Sequence, residues 1–219
     1  MNLKKAIYKG FNLAKRELVP QMMYLGRERK LDVHGDFVRV SSLELCANEI
    51  YAKNIQGAVA EVGVYRGDFA ADISRAFPDR KLFLFDTFEG FDRKDVEIER
   101  NENFSDGSQD FSDTNVELVL LRMKNPDNCI IRKGYFPETA AEVDETFVFV
   151  SLDTDLYKPI LEGLRFFYPK LATGGYIFVH DYNNAEYRGT QQAVHEFSEE
   201  FKVPYFPLSD HCGSAVFMK

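Results

Sequence analysis

Two short segments carry acids at a spacing suited to cation or proton chemistry. Ser151-Leu152-Asp153-Thr154-Asp155 follows one apolar run, and Val179-His180-Asp181 ends another. If the two runs are neighbouring parallel strands, their ends emerge on one edge about 4.8 Å apart. Asp153 could then share a cation with His180 or Asp181, since oxygen ligands sit ~2.1 Å from magnesium. Asp153 and Asp155 are two residues apart and point to the same side while the chain stays extended. Like charges this close are unfavourable unless a cation or a proton neutralises one. The alternative for the same residues is a pair of solvated loops whose acids cap the next helices.

A second candidate is Glu61-Val62-Gly63-Val64-Tyr65-Arg66-Gly67. Gly63 and Gly67 allow a tight turn and close approach of a ligand to the backbone. The dinucleotide pattern GxGxxG fails at its second glycine, and there is no Lys-Ser/Thr pair of a phosphate-binding loop. An acid just before the glycines would repel a pyrophosphate and suits a cation. S-adenosylmethionine carries an ammonium and a sulfonium, so it fits this loop, with Tyr65 between the glycines. Asp86 lies 23 residues past Gly63, where a carboxylate can accept both hydroxyls of a ribose. Thr87 and Phe88 follow it directly. Gly134, Tyr135 and Phe136 come after another apolar run. Phe88, Tyr135 and Phe136 could each flank an adenine.

The elements that must position these residues alternate. Apolar strands are expected at Ala58–Val62, Lys81–Phe85, Cys129–Arg132, Phe147–Leu152 and Tyr176–Val179. Helical patterns fall between them at Asp68–Phe77, Asn115–Met123 and Pro159–Leu171, with a last helix at Thr190–Phe201. Apolar strands joined by helical crossovers imply a parallel sheet covered on both faces. Val203–Leu208 and Ser214–Met218 are joined by too short a loop for a helix, so they must pair antiparallel. A doubly wound α/β sheet ending in a hairpin is the class I methyltransferase (Rossmann-like) architecture. Ser41-Ser42-Leu43-Glu44 has the form of a capping box and predicts a helix beginning there. The acidic, apolar-poor segment Arg93–Asp113 is expected to be a mobile loop over the carboxyl edge of the sheet.

The 219 residues favour one main domain. Residues 1–56 are expected to form a helical extension and 57–219 the sheet domain. Residues 1–30 hold eight Lys/Arg against two Asp/Glu, and the remainder 19 against 33. Met1–Leu18 therefore reads as a basic amphipathic helix, suited to packing on its own acidic domain or on a second copy in a homodimer, or else to contact with an anionic surface or partner. The net charge of −8 argues against general nucleic-acid binding, which needs clustered positive charge. No apolar run approaches the ~20 residues of a membrane helix. Three distant cysteines fit a reducing cytoplasm better than a disulfide framework or a thiolate metal site. His34, His195 and His211 are expected to be solvated.

As a set, the segments AEVGVYRGDFA, FLFDTFEGFD, FSDTNVELV, KGYFPET, SLDTDLYKPILEGLRFFYPKLATGGYIFVHDY and QQAVHEF resemble the macrocin O-methyltransferase (TylF) family. The resemblance spans about residues 57–200, in the family's order. It implies S-adenosylmethionine as methyl donor, a divalent metal, usually magnesium, and a small hydroxylated acceptor such as a sugar. Carried over by motif, Asp153, His180 and Asp181 take the metal-ligand positions. Asp155 takes the general-base position, and Glu61, Gly63 and Asp86 take cofactor positions. The family pattern has two acids before the tyrosine, where this chain has His180-Asp181-Tyr182. Imidazole favours manganese, iron, cobalt or zinc over magnesium. Two other readings use the same sheet: a nicotinamide-dependent oxidoreductase, and a binding protein that has lost transfer activity.

Overall fold

The structure, a computed structural model, describes Leu31 and residues 35–219. The basic helix expected over Met1–Leu18 lies outside the described residues, as does His34. Among the described residues the first element is helix α1 (Phe37–Ala52), followed by β1 (Ala58–Val62), α2 (Asp68–Ala76), β2 (Leu82–Asp86), α3 (Arg93–Asn101) and α4 (Val116–Leu120). It continues with β3 (Cys129–Lys133), β4 (Phe147–Leu152), α5 (Tyr157–Lys170), β5 (Leu171–Val179), α6 (Arg188–Phe201), β6 (Phe206–Leu208) and β7 (Ser214–Met218). The seven strands lie in the order β3-β2-β1-β4-β5-β7-β6. The first five are parallel, and β7 runs antiparallel to both β5 and β6. This is the expected doubly wound sheet with its terminal hairpin.

Phenylalanine fills much of the interior. Phe85, Phe147, Phe167, Phe197 and Phe217 are buried where α5 and α6 cover one face. Phe77, Phe149 and Phe178 are buried on the other face, with Leu43 and Ile50 of α1 and Ile73 of α2. Each such burial removes apolar area worth about 1.5–3 kcal/mol from water. The central strands β1, β2 and β4 show no alternation of polar and apolar residues because both their faces are covered.

Two local expectations are corrected. Helix α1 starts four residues before Ser41, because Asp36 is the better cap: its Oδ1 accepts from the N–H groups of Val38 (3.0 Å) and Arg39 (3.1 Å). Ser41 and Glu44 are buried within the helix, and Glu44 accepts from the Leu31 N–H at 2.9 Å. The segment Arg93–Asp113 contains helix α3, capped by Asp92 through the Lys94 N–H. Its inward face is acidic. Glu99 takes the Tyr157 N–H (2.6 Å) and the Ser105 hydroxyl (2.7 Å), which fixes the segment to the start of α5.

Candidate active site

The direction of winding reverses between β1 and β4, which opens a crevice at their carboxyl ends. The Asp153 N–H donates to Val62 at 2.8 Å, and the His180 N–H donates to Leu152 at 2.9 Å. The tips of β1, β4 and β5 are thereby held side by side. Gly63 has φ +82°, and a Cβ there would lie 2.0 Å from the Asp153 carbonyl oxygen. Only glycine lets the two tips approach this closely. Gly67, also at positive φ, begins α2.

The strand-tip acids meet as their spacing suggests. His180 Nδ1 lies 3.1 Å from Asp153 Oδ1 and 2.6 Å from Asp181 Oδ2. One ligand atom from each of Asp153, His180 and Asp181 lies within 4.8 Å of the others. Asp155 reaches the same cluster by a different route from the one expected. Its φ of +60° breaks the extended chain, and its carboxyl comes near enough to Asp181 to feel its charge. Asp181 has φ +59°. Two non-glycine residues in this sparsely occupied conformation store backbone strain at the point where the chemistry gathers.

The charges explain the protonation of the site. Burial raises the affinity of Asp155 for a proton, and the charges of Asp181 and Asp153 raise it further. For Asp153, burial is outweighed by the Arg39 guanidinium and by His180, and its carboxyl stays far below the usual carboxylate range. Burial alone would lower the His180 value, but Asp153 and the bond to Asp181 push it up to about 10. The cluster thus favours positive charge, and a proton and a cation would compete for the same imidazole. Two carboxylates, one imidazole and a facing carboxyl fit a divalent metal ion, and the nitrogen donor suits a transition metal.

Arg39 borders the cavity and touches the strand-tip acid Asp153, and no motif in the sequence points to it. It comes from α1, outside the motif-bearing strands. Nη1 holds Asp153 Oδ2 and Nη2 holds the Ser151 hydroxyl, both at 2.9 Å. Its guanidinium lies 3.7 Å above the Phe69 ring. No periodicity marks it, because its partners stand more than a hundred residues away.

A cavity of about 350 Å³ runs along the strand tips. Glu61, Gly63, Tyr65, Asp86, Thr87, Gly134, Tyr135, Phe136, Asp153, Asp155, His180 and Asp181 all border it, as does Arg39. Phe88 does not; its ring is buried in the α1–α2 side of the core. Glu61 is buried, and its Oε2 has no hydrogen-bond partner among the described residues. Burial drives its proton affinity well above the ordinary value, against the pull of Arg39. An unpartnered buried acid facing a cavity fits a cationic ligand group such as the ammonium of S-adenosylmethionine. Asp86 currently ties the glycine loop down, with Oδ2 accepting from the Val64 (2.6 Å) and Tyr65 (2.9 Å) N–H groups. Tyr65 donates its hydroxyl to Asp113 at 2.6 Å. His195 and His211 are both outside this cluster.

A switch-point cavity on a sheet of this order defines a class I methyltransferase. The profile of the macrocin O-methyltransferases (TylF) matches residues 34–219, and the chain belongs to that family. It is accordingly an S-adenosylmethionine-dependent O-methyltransferase. Among similar proteins is the 8-demethyl-8-(2,3-dimethoxy-alpha-L-rhamnosyl)-tetracenomycin-C 4'-O-methyltransferase of Streptomyces olivaceus. It is 25% identical over 197 residues, covering 83% of this chain and 72% of that protein. The mycinamicin III 3''-O-methyltransferase of Micromonospora griseorubida is 27% identical over 180 residues, covering 75% and 69%. The solved structure of the O-methyltransferase NovP shares the fold, with a TM-score of 0.67 at 22% identity, covering 91% of this chain and 88% of that one.

Proposed function

We propose that this chain methylates a hydroxyl of a sugar or a similar small hydroxylated molecule, assisted by a divalent cation at Asp153, His180 and Asp181. The observation that carries the reading is the meeting of these three residues with Asp155 at one end of a cavity whose other walls suit a nucleoside. The rhamnosyl acceptor in the name of one relative supports a sugar. The bound cation would supply a Lewis acid that lowers the pKa of a weakly acidic hydroxyl.

This chain's own residues would do the rest. Asp153 and Asp181 orient the acceptor oxygen, with Arg39 keeping Asp153 ionised and in place. Asp155 takes the hydroxyl proton on its carboxylate, a step typically worth about 10²–10⁴-fold. Burial and the neighbouring charges of Asp181 and Asp153 raise its proton affinity, which suits a proton acceptor. Glu61 and Asp86 hold the amino-acid and ribose parts of the methyl donor. The cover formed by α3 keeps bulk water from the reacting atoms.

Asp153→Ala and Asp181→Ala are each expected to abolish methyl transfer to a rhamnosylated acceptor, followed by mass spectrometry, while S-adenosylhomocysteine binding by calorimetry persists. Unchanged turnover in either variant removes the cation-assisted mechanism.

A further inference from the structure

The cavity has two ends, and the chemistry of transfer occupies only one. Asp153, Asp155 and Asp181 lie at the tips of β4 and β5. From Glu61 on β1 the cavity continues past Asp86 on β2 to Gly134 and Tyr135 beyond β3. Adjacent strands stand about 4.8 Å apart, so β1 to β3 is a span of roughly 10 Å, the length of a nucleoside. With the cofactor's ammonium at Glu61 and its ribose at Asp86, the base must lie beside Tyr135.

A buried acid waits there. Asp95, on the inward face of α3, borders the cavity and is 4% exposed. Its Oδ1 accepts from the Tyr135 hydroxyl at 2.9 Å. Among the described residues no donor reaches Oδ2. Tyr135 is itself held, with the Lys94 ammonium 4.9 Å from its ring centroid. Neither Asp95 nor Tyr135 has a part in the transfer chemistry. A carboxylate fixed through one oxygen, with the other turned to a ligand cavity, is a half-completed acceptor.

We propose that Asp95 recognises the base of the cofactor: its Oδ2 accepts a hydrogen bond from the exocyclic 6-amine of adenine. Selectivity for an adenosyl cofactor then comes from the helix that covers the site as well as from the strand tips. The assignment rests on the S-adenosylmethionine reading.

The test pairs a ligand change with a residue change. S-adenosylhomocysteine and its 6-deamino analogue, with purine in place of adenine, are titrated calorimetrically into the full chain, its Asp95→Ala variant and its Asp95→Asn variant. A hydrogen bond to a charged group predicts that the unaltered chain binds the analogue about 10- to 100-fold more weakly. Each variant should lose that same factor for S-adenosylhomocysteine and bind the two ligands alike. In Asp95→Asn the Tyr135 hydroxyl keeps the amide oxygen, so the NH2 faces the 6-amine and no acceptor remains. Affinity for the analogue, unchanged in the variants, reports that the cavity is intact. If both variants weaken both ligands equally, or retain the preference for the amine, the assignment is overturned. An unaltered chain that binds neither ligand overturns instead the cofactor reading beneath it.

Discussion

Glu61, next to the last residue of β1, is a buried acid whose Oε2 has no hydrogen-bond partner among the described residues, and that arrangement is costly to the unliganded fold. An unpaired buried polar group destabilises by about 1–3 kcal/mol, and sites that bind charge often carry such a debt. Glu61→Gln keeps the shape and removes the charge. It is expected to raise the melting temperature of the ligand-free protein and to weaken S-adenosylhomocysteine by about tenfold or more, the value of a charge-assisted bond. A variant that melts lower and binds as before would show that Glu61 serves the fold. Glu61, Asp153, His180 and Asp181 are legible in the sequence because each sits where an apolar strand gives way to glycine or to an acid. Arg39 is not, since a helix from another part of the chain delivers it. Phe88 misleads for the opposite reason: its place two residues after Asp86 suggests a ligand contact, but its backbone turns at φ +54° and sends the ring into the core.

At the scale of elements, β1, β4 and β7 are legible to the residue and β2 and β3 to within one, while β5 begins five residues before the expected Tyr176, β6 starts three after the expected Val203, and the covering helix is not legible at all. Helix α3 has few apolar residues to set a period, and its buried positions are Asp95 and Glu99. It is held by the bonds of those acids, and such bonds leave no hydrophobic signature. Glu99 also sets how near α6 may come. A Cβ on Gly189 would lie 2.4 Å from Glu99 Oε1, so the helix start passes directly over the carboxylate. Glu99→Ala would strand the Tyr157 N–H and the Ser105 hydroxyl. A loss of about 2 kcal/mol is expected, typical of a buried donor left unmade. Amide exchange over residues 93–105 should quicken while exchange in β1 and β4 stays slow. Uniform quickening across the sheet would mean that α3 is part of the global folding unit. The early start of α1 has a similar origin. A single aspartate with two backbone bonds outcompetes a serine whose sequence context looked better.

For the whole molecule, the site's charges set how stability depends on pH. Folding raises the proton affinity of Glu61, Asp155, Glu99 and Asp210, and brings Asp95 up from 3.8 to about 6. Each of these acids binds its proton more tightly in the folded state. Its stabilising contribution is full at low pH and is lost as pH rises through the folded value. His180 acts in the same direction higher up. Titrating near 6.5 unfolded and about 10 folded, it stabilises fully below 6.5 and progressively less toward 10. The opposing groups are Asp153, Asp106, Asp110 and Asp113, whose values are lowered. Their contribution is complete above about 4 and fails only below it. The ligand-free, chelator-treated protein is therefore expected to gain stability continuously from pH 9 down to about 5, at the acid end of the usual pH 5–8 range for maximal stability. Calorimetric melting at constant ionic strength measures this directly. Glu61→Gln should flatten the acidic part of the curve, since one of the proton-binding groups is gone. A melting temperature that instead peaks near pH 8 would mean that the buried acids stay ionised in the empty site, and that the site's positive charge comes from the protein rather than from a bound ligand.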